Sequence, residues 1–306
     1  MIKNYILLAW RNLLKHRSSS MINIGGLALG LTTSILVVLF IVNEFGYDSF
    51  HRNIDYLYIL MKNQKVADGI STGGASAGPM AAALRTELPE VQNVAREVGA
   101  GTTARVGDKQ VPLEGIYTDT GFFSMMSFPA IEGDPGSALR DPHAVILTES
   151  AAKKLFGNSP ALGKTFSDDT VPVRVGAVVK DVPSNSSIRF EYVRPIAVFE
   201  SNNPWLKKWD DNRINTWLQL KPGADIAAVD RKATAILQKR SDDTSVTTFV
   251  WPMARLRLHS HFENGKPAGG KIYMVLLIAL LGFFVLIIAC INFMNIATAR
   301  SEIRAR

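Results

Sequence analysis

Cystine bridges are excluded from the folded part of this 306-residue chain, because its one cysteine, Cys290, falls inside an apolar run. Whatever folds here must be held by its own core. Acids are missing from the first twenty residues, which carry Lys3, Arg11, Lys15 and Arg17. Charge of either sign is missing between Arg17 and Glu44, and again between Lys271 and Arg300. No low-complexity tract interrupts the stretch between these runs, so a disordered linker protein is excluded.

What fills the uncharged stretches is apolar. Ile24–Val42 reads IGGLALGLTTSILVVLFIV, and Ile272–Ile291 is almost wholly hydrophobic. Each has the ~20 residues with which a helix crosses ~30 Å of hydrocarbon. Lipid offers the backbone no hydrogen bonds, so both runs are predicted to be helical. The first is longer than the ~7–15 residues of a signal-peptide core, and no small-residue cleavage site follows Val42. Gly25, Gly26, Gly30, Thr32 and Thr33 would let a second membrane helix come close.

The net charge is +7, of which residues 1–20 supply +4 and residues 300–306 supply +2. Only +1 remains for the other 279 residues. The basic excess therefore flanks the spans, which argues against a nucleic-acid surface and places both ends in the cytoplasm. The expected layout is a cytoplasmic helix over 1–20, a span over 21–45, an outer domain over 46–270, a span over 271–297, and a cytoplasmic helix beginning at 298–306. In a bacterium the location would be the plasma (inner) membrane, with the central domain in the periplasm. Within 1–20, Ile2, Ile6, Ala9, Trp10, Leu13 and Leu14 share one helical face, with Arg11 and Lys15 off it. This is a basic amphipathic helix suited to the headgroup layer, with Trp10, Arg11, Lys15 and Arg17 as interface residues and Ser18–Ser20 as a break before the span.

The outer region mixes strand and helix patterns. YLYILMK (56–62) reads as a strand and GISTGGASAG as a loop. Pro79 opens a helix over MAAALRTEL, and short strands run to about 118. AVILT (144–148) leads into a helix capped by Thr148, with Glu149 in its first turn, Lys153 and Lys154 near its end and Gly157 beyond. VPVRVGAVV (171–179) alternates, with Pro172 pointing to a sheet edge. NTWLQLK (215–221), the helix DIAAVDRKATAILQKR and TSVTTFVW (244–251) close the set. A strand–helix–strand unit thus occurs early and again late, with a β-rich insert between them.

Several strings resemble chemistry without meeting its requirements. GASAG around Ser76 fits a nucleophile elbow, but the polar DGISTG before it is not the buried strand an elbow needs. GNSPALGKT has five residues between its glycines where a phosphate loop has four, and contains Pro160. His259 and His261, with Glu263 as the local acid, do not complete a zinc sphere. His51 and His143 stand alone. Asp181, Glu191, Asp210 and Asp211 form no defensible acid–base pair. The expectation is a protein that is not an enzyme, with no cofactor, no metal and no catalytic residue.

Longer strings carry a resemblance. RNLLKHRSSSMINIGGLALGL, YDSFHRNIDYLY, LPEVQNVARE, VILTESAAKKLFG, LGKTF, GAVVKDVPSNSS and IACINFMNIATARSEIRAR resemble the MacB-like periplasmic core and the start of an FtsX-like permease. The resemblance implies an α+β membrane protein: two transmembrane helices flanking a large extracytoplasmic α/β domain with Porter-like and Sabre-like parts. It also implies a subunit of a mechanotransmission-type ABC transporter, for export or extraction. Such a subunit has four spans, acts as a homodimer or paired permease and is driven by a cytoplasmic ATPase. A periplasmic or outer-membrane partner is a further possibility. The helix after the second span would meet the ATPase, which makes Arg300, Glu302, Arg304 and Arg306 the contact candidates. Lacking the third and fourth spans, the sequence reads as a truncated product or a fragment. The alternatives are a two-span sensor with a ligand-binding outer domain and a membrane-anchored hydrolase.

Overall fold

The structure is a computed structural model that describes residues 11, 17–169, 171–241, 243 and 245–305. It forms two compact units. One holds the terminal helices α1 (Arg17–Phe45) and α9 (Lys271–Ala305); the other runs from Gly46 to Gly269.

In the helical unit, Ile24–Phe45 and Lys271–Met294 are long and apolar enough to cross a membrane. The helices pack antiparallel through small residues. A side-chain carbon at Gly30 would overlap the Ala289 methyl, and one at Gly282 would lie 2.7 Å from Val37 Cγ1. The glycines therefore set how closely the backbones approach. Ser18–Ser20 lie inside α1 and do not break it. At a span's edge continuing the helix satisfies their backbone groups, and this outweighs serine's weak preference for caps. Trp10 and Lys15, with most of the amphipathic stretch, lie outside the described residues. Arg11 is helical and exposed.

The Gly46–Gly269 unit is built from β1 (Leu57–Val66), β2 (Gly69–Gly73), β3 (Ala75–Ala77), α2 (Met80–Glu87), β4 (Val91–Val106) and β5 (Lys109–Thr118). There follow α3 (Phe122–Met125), β6 (Ala130–Gly133), α4 (Pro135–Ala138), β7 (Ala144–Thr148), α5 (Glu149–Phe156), β8 (Thr165–Asp168) and β9 (Val171–Val179). The chain then adds β10 (Tyr192–Pro195), α6 (Ile196–Asn202), β11 (Asn212–Leu220), α7 (Ile226–Gln238), β12 (Thr247–Pro252), α8 (Met253–Leu256), and the small hairpin β13 (Phe262–Glu263) and β14 (Lys266–Pro267).

Among the described residues β12, β1, β11 and β4 lie side by side in that order, every pair antiparallel. With α2 between β1 and β4, and α7 between β11 and β12, this is a split β-α-β, or ferredoxin-like, layer. Leu84 from α2, Leu88 just after it, and Val229, Ala233 and Leu237 from α7 bury against Leu60, Leu218 and Val250 of the sheet. Asp225 caps α7 by accepting from Ala227 N at 3.0 Å.

Everything from β5 to β10 is inserted between β4 and β11. Here β4, β5, β10, β7, β9 and β8 pair in a closed circuit, because β8 bonds to both β9 and β4. Its interior holds Leu113, Val145, Leu147, Phe166, Val173, Val175 and Tyr192, covered by Ala151 and Leu155 of α5. Thr148 caps α5 as expected, its hydroxyl accepting from Ala151 N. The early and late strand–helix–strand units with an intervening β insert are therefore present.

Three local expectations change. The short strands to residue 118 are one sixteen-residue strand, β4, and β5. The Gly/Ser loop is two strands, since β2 pairs with β1 and β3 with β11. The edge expected at Pro172 is local: among the described residues Pro172 pairs with β8 alone, but from Arg174 onward β7 pairs alongside, so the rest of β9 is interior to the sheet.

Candidate functional site

Three arrangements stand out, each within one unit. In the helical unit Glu44 is only 3% exposed and accepts from Lys271 Nζ at 2.6 Å. An acid at the end of an apolar run is costly unless paired, and Lys271 at the start of α9 supplies the charge. Arg300, Glu302 and Arg304 lie on the last turns of α9, and Arg306 lies outside the described residues.

In the domain, the residues that follow α1 are stitched down. Asp48 is fully buried with φ +59°, in the left-handed region. Its carboxylate accepts from Ser187 N at 2.7 Å and Ser187 Oγ at 2.5 Å, and its own N–H donates to Asn185 O at 2.8 Å. Asn185 Nδ2 returns a bond to Gly46 O at 2.7 Å. Burial pushes the Asp48 carboxyl up, against the lowering effect of the Ser187 donors. His51 Nδ1 accepts from Ser127 N at 3.0 Å, while its buried Nε2 has no partner. The ring lies among Phe50 and Phe128, and burial drives its pKa down to about 4. YDSFH, whose His51 stands alone in the sequence, is thus an anchor made of an acid and an imidazole.

The third arrangement lies where the ferredoxin-like layer meets the insert. Arg96 of β4 clasps Asp119, with Nε and Nη2 each at 2.9 Å, and reaches Glu200 of α6 at 3.2 Å. The clasp borders a cleft of about 450 Å³ whose walls include Ala82, Arg85, Val94 and Lys207. On the same strand Glu97 accepts from Trp217 Nε1 at 2.7 Å, and burial raises its pKa. Periodicity could not find these pairs, because their members are 23 to 120 residues apart.

The strings that resembled catalytic motifs have structural places. Ser76 is buried in β3, its Oγ bonded to Thr216 Oγ1 at 2.7 Å and to Ile214 O at 3.2 Å. Gly78 is needed because a side-chain carbon there would overlap Leu206 O. In GNSPALGKT, Lys164 lies over the Phe156 ring at 5.1 Å and the backbone forms a turn against Val175. His259 and His261 do not share a strand: His259 sits in a bend, and His261 precedes β13 and meets Glu263 at 3.2 Å. His143 lies in the turn before β7, its N–H bonded to Asp141. Asp181 accepts from Ser150, Glu191 pairs with Lys154, Asp210 accepts from Ser241, and Asp211 pairs with Arg213. Among the described residues no three His, Cys, Asp or Glu stand close enough to share a metal ion.

With this geometry in hand, the relatives can be placed. The sequence model of the family described as MacB-like periplasmic core domain matches residues 20–236. The chain belongs to that family. The fold is similar to a domain of a protein assigned as a permease from Porphyromonas gingivalis, at 24% identity and TM-score 0.58, over 66% of this chain and 92% of that one. It is similar also to the extracellular domain of the noncanonic ABC-type transporter YknZ from Gram-positive bacteria, at 18% identity and TM-score 0.50, over 63% and 99%. The periplasmic region of MacB from Actinobacillus actinomycetemcomitans aligns at 16% identity and TM-score 0.48, over 65% and 92%. No curated protein matches the chain. A MacB-like core between two apolar helices is the make-up of a membrane protein with a periplasmic domain.

Proposed function

We propose that the chain is the transmembrane subunit, or the amino-terminal part of one, of a mechanotransmission-type ABC transporter. Both termini lie in the cytoplasm and the Gly46–Gly269 domain in the periplasm. A separate cytoplasmic ATPase supplies the energy, and its hydrolysis moves the periplasmic domain in export or extraction of a substrate. The chain itself carries out no covalent chemistry, a reading supported by the buried, hydrogen-bonded Ser76. Arg300, Glu302, Arg304 and Arg306 form the ATPase contact, and the subunit works as a homodimer or paired permease. The observation that carries the reading is the MacB-like core at residues 20–236 together with apolar helices whose far ends are basic.

Co-purification tests it. The protein, tagged in its own cells and extracted in mild detergent, brings down an ATP-binding cassette ATPase, and Arg300→Glu with Arg304→Glu lowers the yield at least tenfold. An unchanged yield removes the role given to these arginines, and absence of any ATPase removes the transporter reading. A phosphatase reporter fused near residue 150, active only outside the cytoplasm, checks the orientation.

A further inference from the structure

The sheet begins at β12, whose one strand neighbour among the described residues is β1. The register between them runs without a bulge, from Thr247 opposite Asn63 to Pro252 opposite Tyr58. In an antiparallel pair every second residue turns its N–H and C=O away from the partner strand. A bare row of such groups is a template for another strand. The segment itself suits that role. VTTFVW (246–251) is uncharged and consists of β-branched and aromatic residues, the composition of segments that pair with their own copies.

The outward row is nevertheless occupied. Val250 N donates to Asp230 Oδ1 at 2.8 Å, and Thr248 N donates to Thr234 Oγ1 at 2.9 Å. The Thr234 hydroxyl donates in turn to Thr248 O at 2.9 Å, and Gln238 Nε2 donates to Val246 O at 3.1 Å. Pro252, next in the same alternation, has no N–H to offer. Asp230, Thr234 and Gln238 recur at every fourth position of α7 and so form one stripe along it. Three side chains thus do at this edge what a neighbouring strand does with its backbone. Packing of the helix is supplied by the stripe beside it, Val229, Ala233, Ile236 and Leu237, all buried. Ion pairs from Lys232 to Glu90 and from Arg240 to Glu87 hold α7 in place from outside the edge.

We propose that Asp230, Thr234 and Gln238 mask a strand-docking edge, and that the partner which the bare edge fits is β12 of a second copy of this chain. Two such edges meet antiparallel and offer each other the same row, the self-complementary contact of a two-fold pair. The mask keeps two domains from joining their sheets here and leaves any other pairing of subunits untouched. The inference concerns this chain alone and holds or fails without an ATPase partner.

The experiment uses the whole chain in detergent. Light scattering reads its mass as protein concentration rises, and tryptophan fluorescence melts report folding. Asp230→Ala, Thr234→Val and Gln238→Ala together bare the edge, and the mass rises about twofold or more over wild type. Adding Thr247→Lys, at an exposed position of β12, returns the mass to the wild-type value, because charge on an edge strand opposes pairing. Asp230→Asn with Thr234→Ser keeps both acceptors and leaves the mass unchanged. A triple variant that melts as a folded protein at the wild-type mass overturns the proposal. So does association that Thr247→Lys fails to reverse, or equal association of the conservative pair. If the triple variant does not fold, Asp230→Ala alone, which bares Val250 N, is judged by the same readings.

Discussion

The helical unit and the domain use the same large apolar residues in opposite ways. In the domain Leu57, Leu147 and Leu218 are wholly buried, while in α1 Leu29 is 73% exposed and Ile22 69%. The closest approaches between α1 and α9 fall at small residues, Gly30 against Ala289 and Gly282 against Val37. Water drives leucine inward in the domain. Lipid has no such preference, so close backbone packing decides the helix pair. The rule that large apolar residues mark a core therefore holds in one unit and fails in the other.

The largest expected effect breaks the domain's own rule. Asp168 and Arg194 form an ion pair inside the insert, 7% and 6% exposed at their side chains, with Thr102 and Pro142 O as further partners. Asp168→Ala strands the guanidinium, and about 3–5 kcal/mol is lost. Urea unfolding of the detergent-solubilised chain, followed by tryptophan fluorescence, reads this. Asp168→Leu with Arg194→Met loses much less, because no buried charge is left alone.

Next comes acid. His51 is neutral when folded and titrates near 4, against about 6.5 when unfolded. Its folded pKa is depressed, so its stability contribution is complete above pH 6.5 and is lost as pH falls from 6.5 toward 4. The loss reaches about 3 kcal/mol, and His51→Asn flattens the pH dependence of the urea midpoint in that window.

The comparison itself is sharpened by neighbouring substitutions in α1. Gly30→Leu costs about 1–3 kcal/mol in thermal melts in detergent, since the Ala289 backbone must retreat. Leu29→Ala, one residue away and facing outward, changes stability by less than about 0.5 kcal/mol. Smallest is the exposed pair Arg174–Asp141 at 3.0 Å, where Arg174→Ala costs at most about 1 kcal/mol and the effect vanishes in high salt.

Much of the architecture was legible in the residues. The two uncharged runs, the Thr148 cap, the alternation in 171–179 and the paired strand–helix–strand units come from local periodicity, which the folded chain keeps. The candidate site was not legible. Asp48 meets Ser187 across 139 residues and Arg96 meets Glu200 across 104, and spacing says nothing about such distances. The Gly/Ser stretch was misread because its partners β1 and β11 supply the ladder bonds that its own composition does not favour.

The short strand β8 has a consequence for folding order. It joins the insert's sheet to itself through Asp168, sixty-six residues beyond Thr102 on β4. Contacts so distant along the chain are late and slow to form. Until those four residues arrive, β4 presents an unpaired flank along Ala104 and Arg105, and during synthesis the nascent insert is most exposed to sticking to its neighbours in that interval.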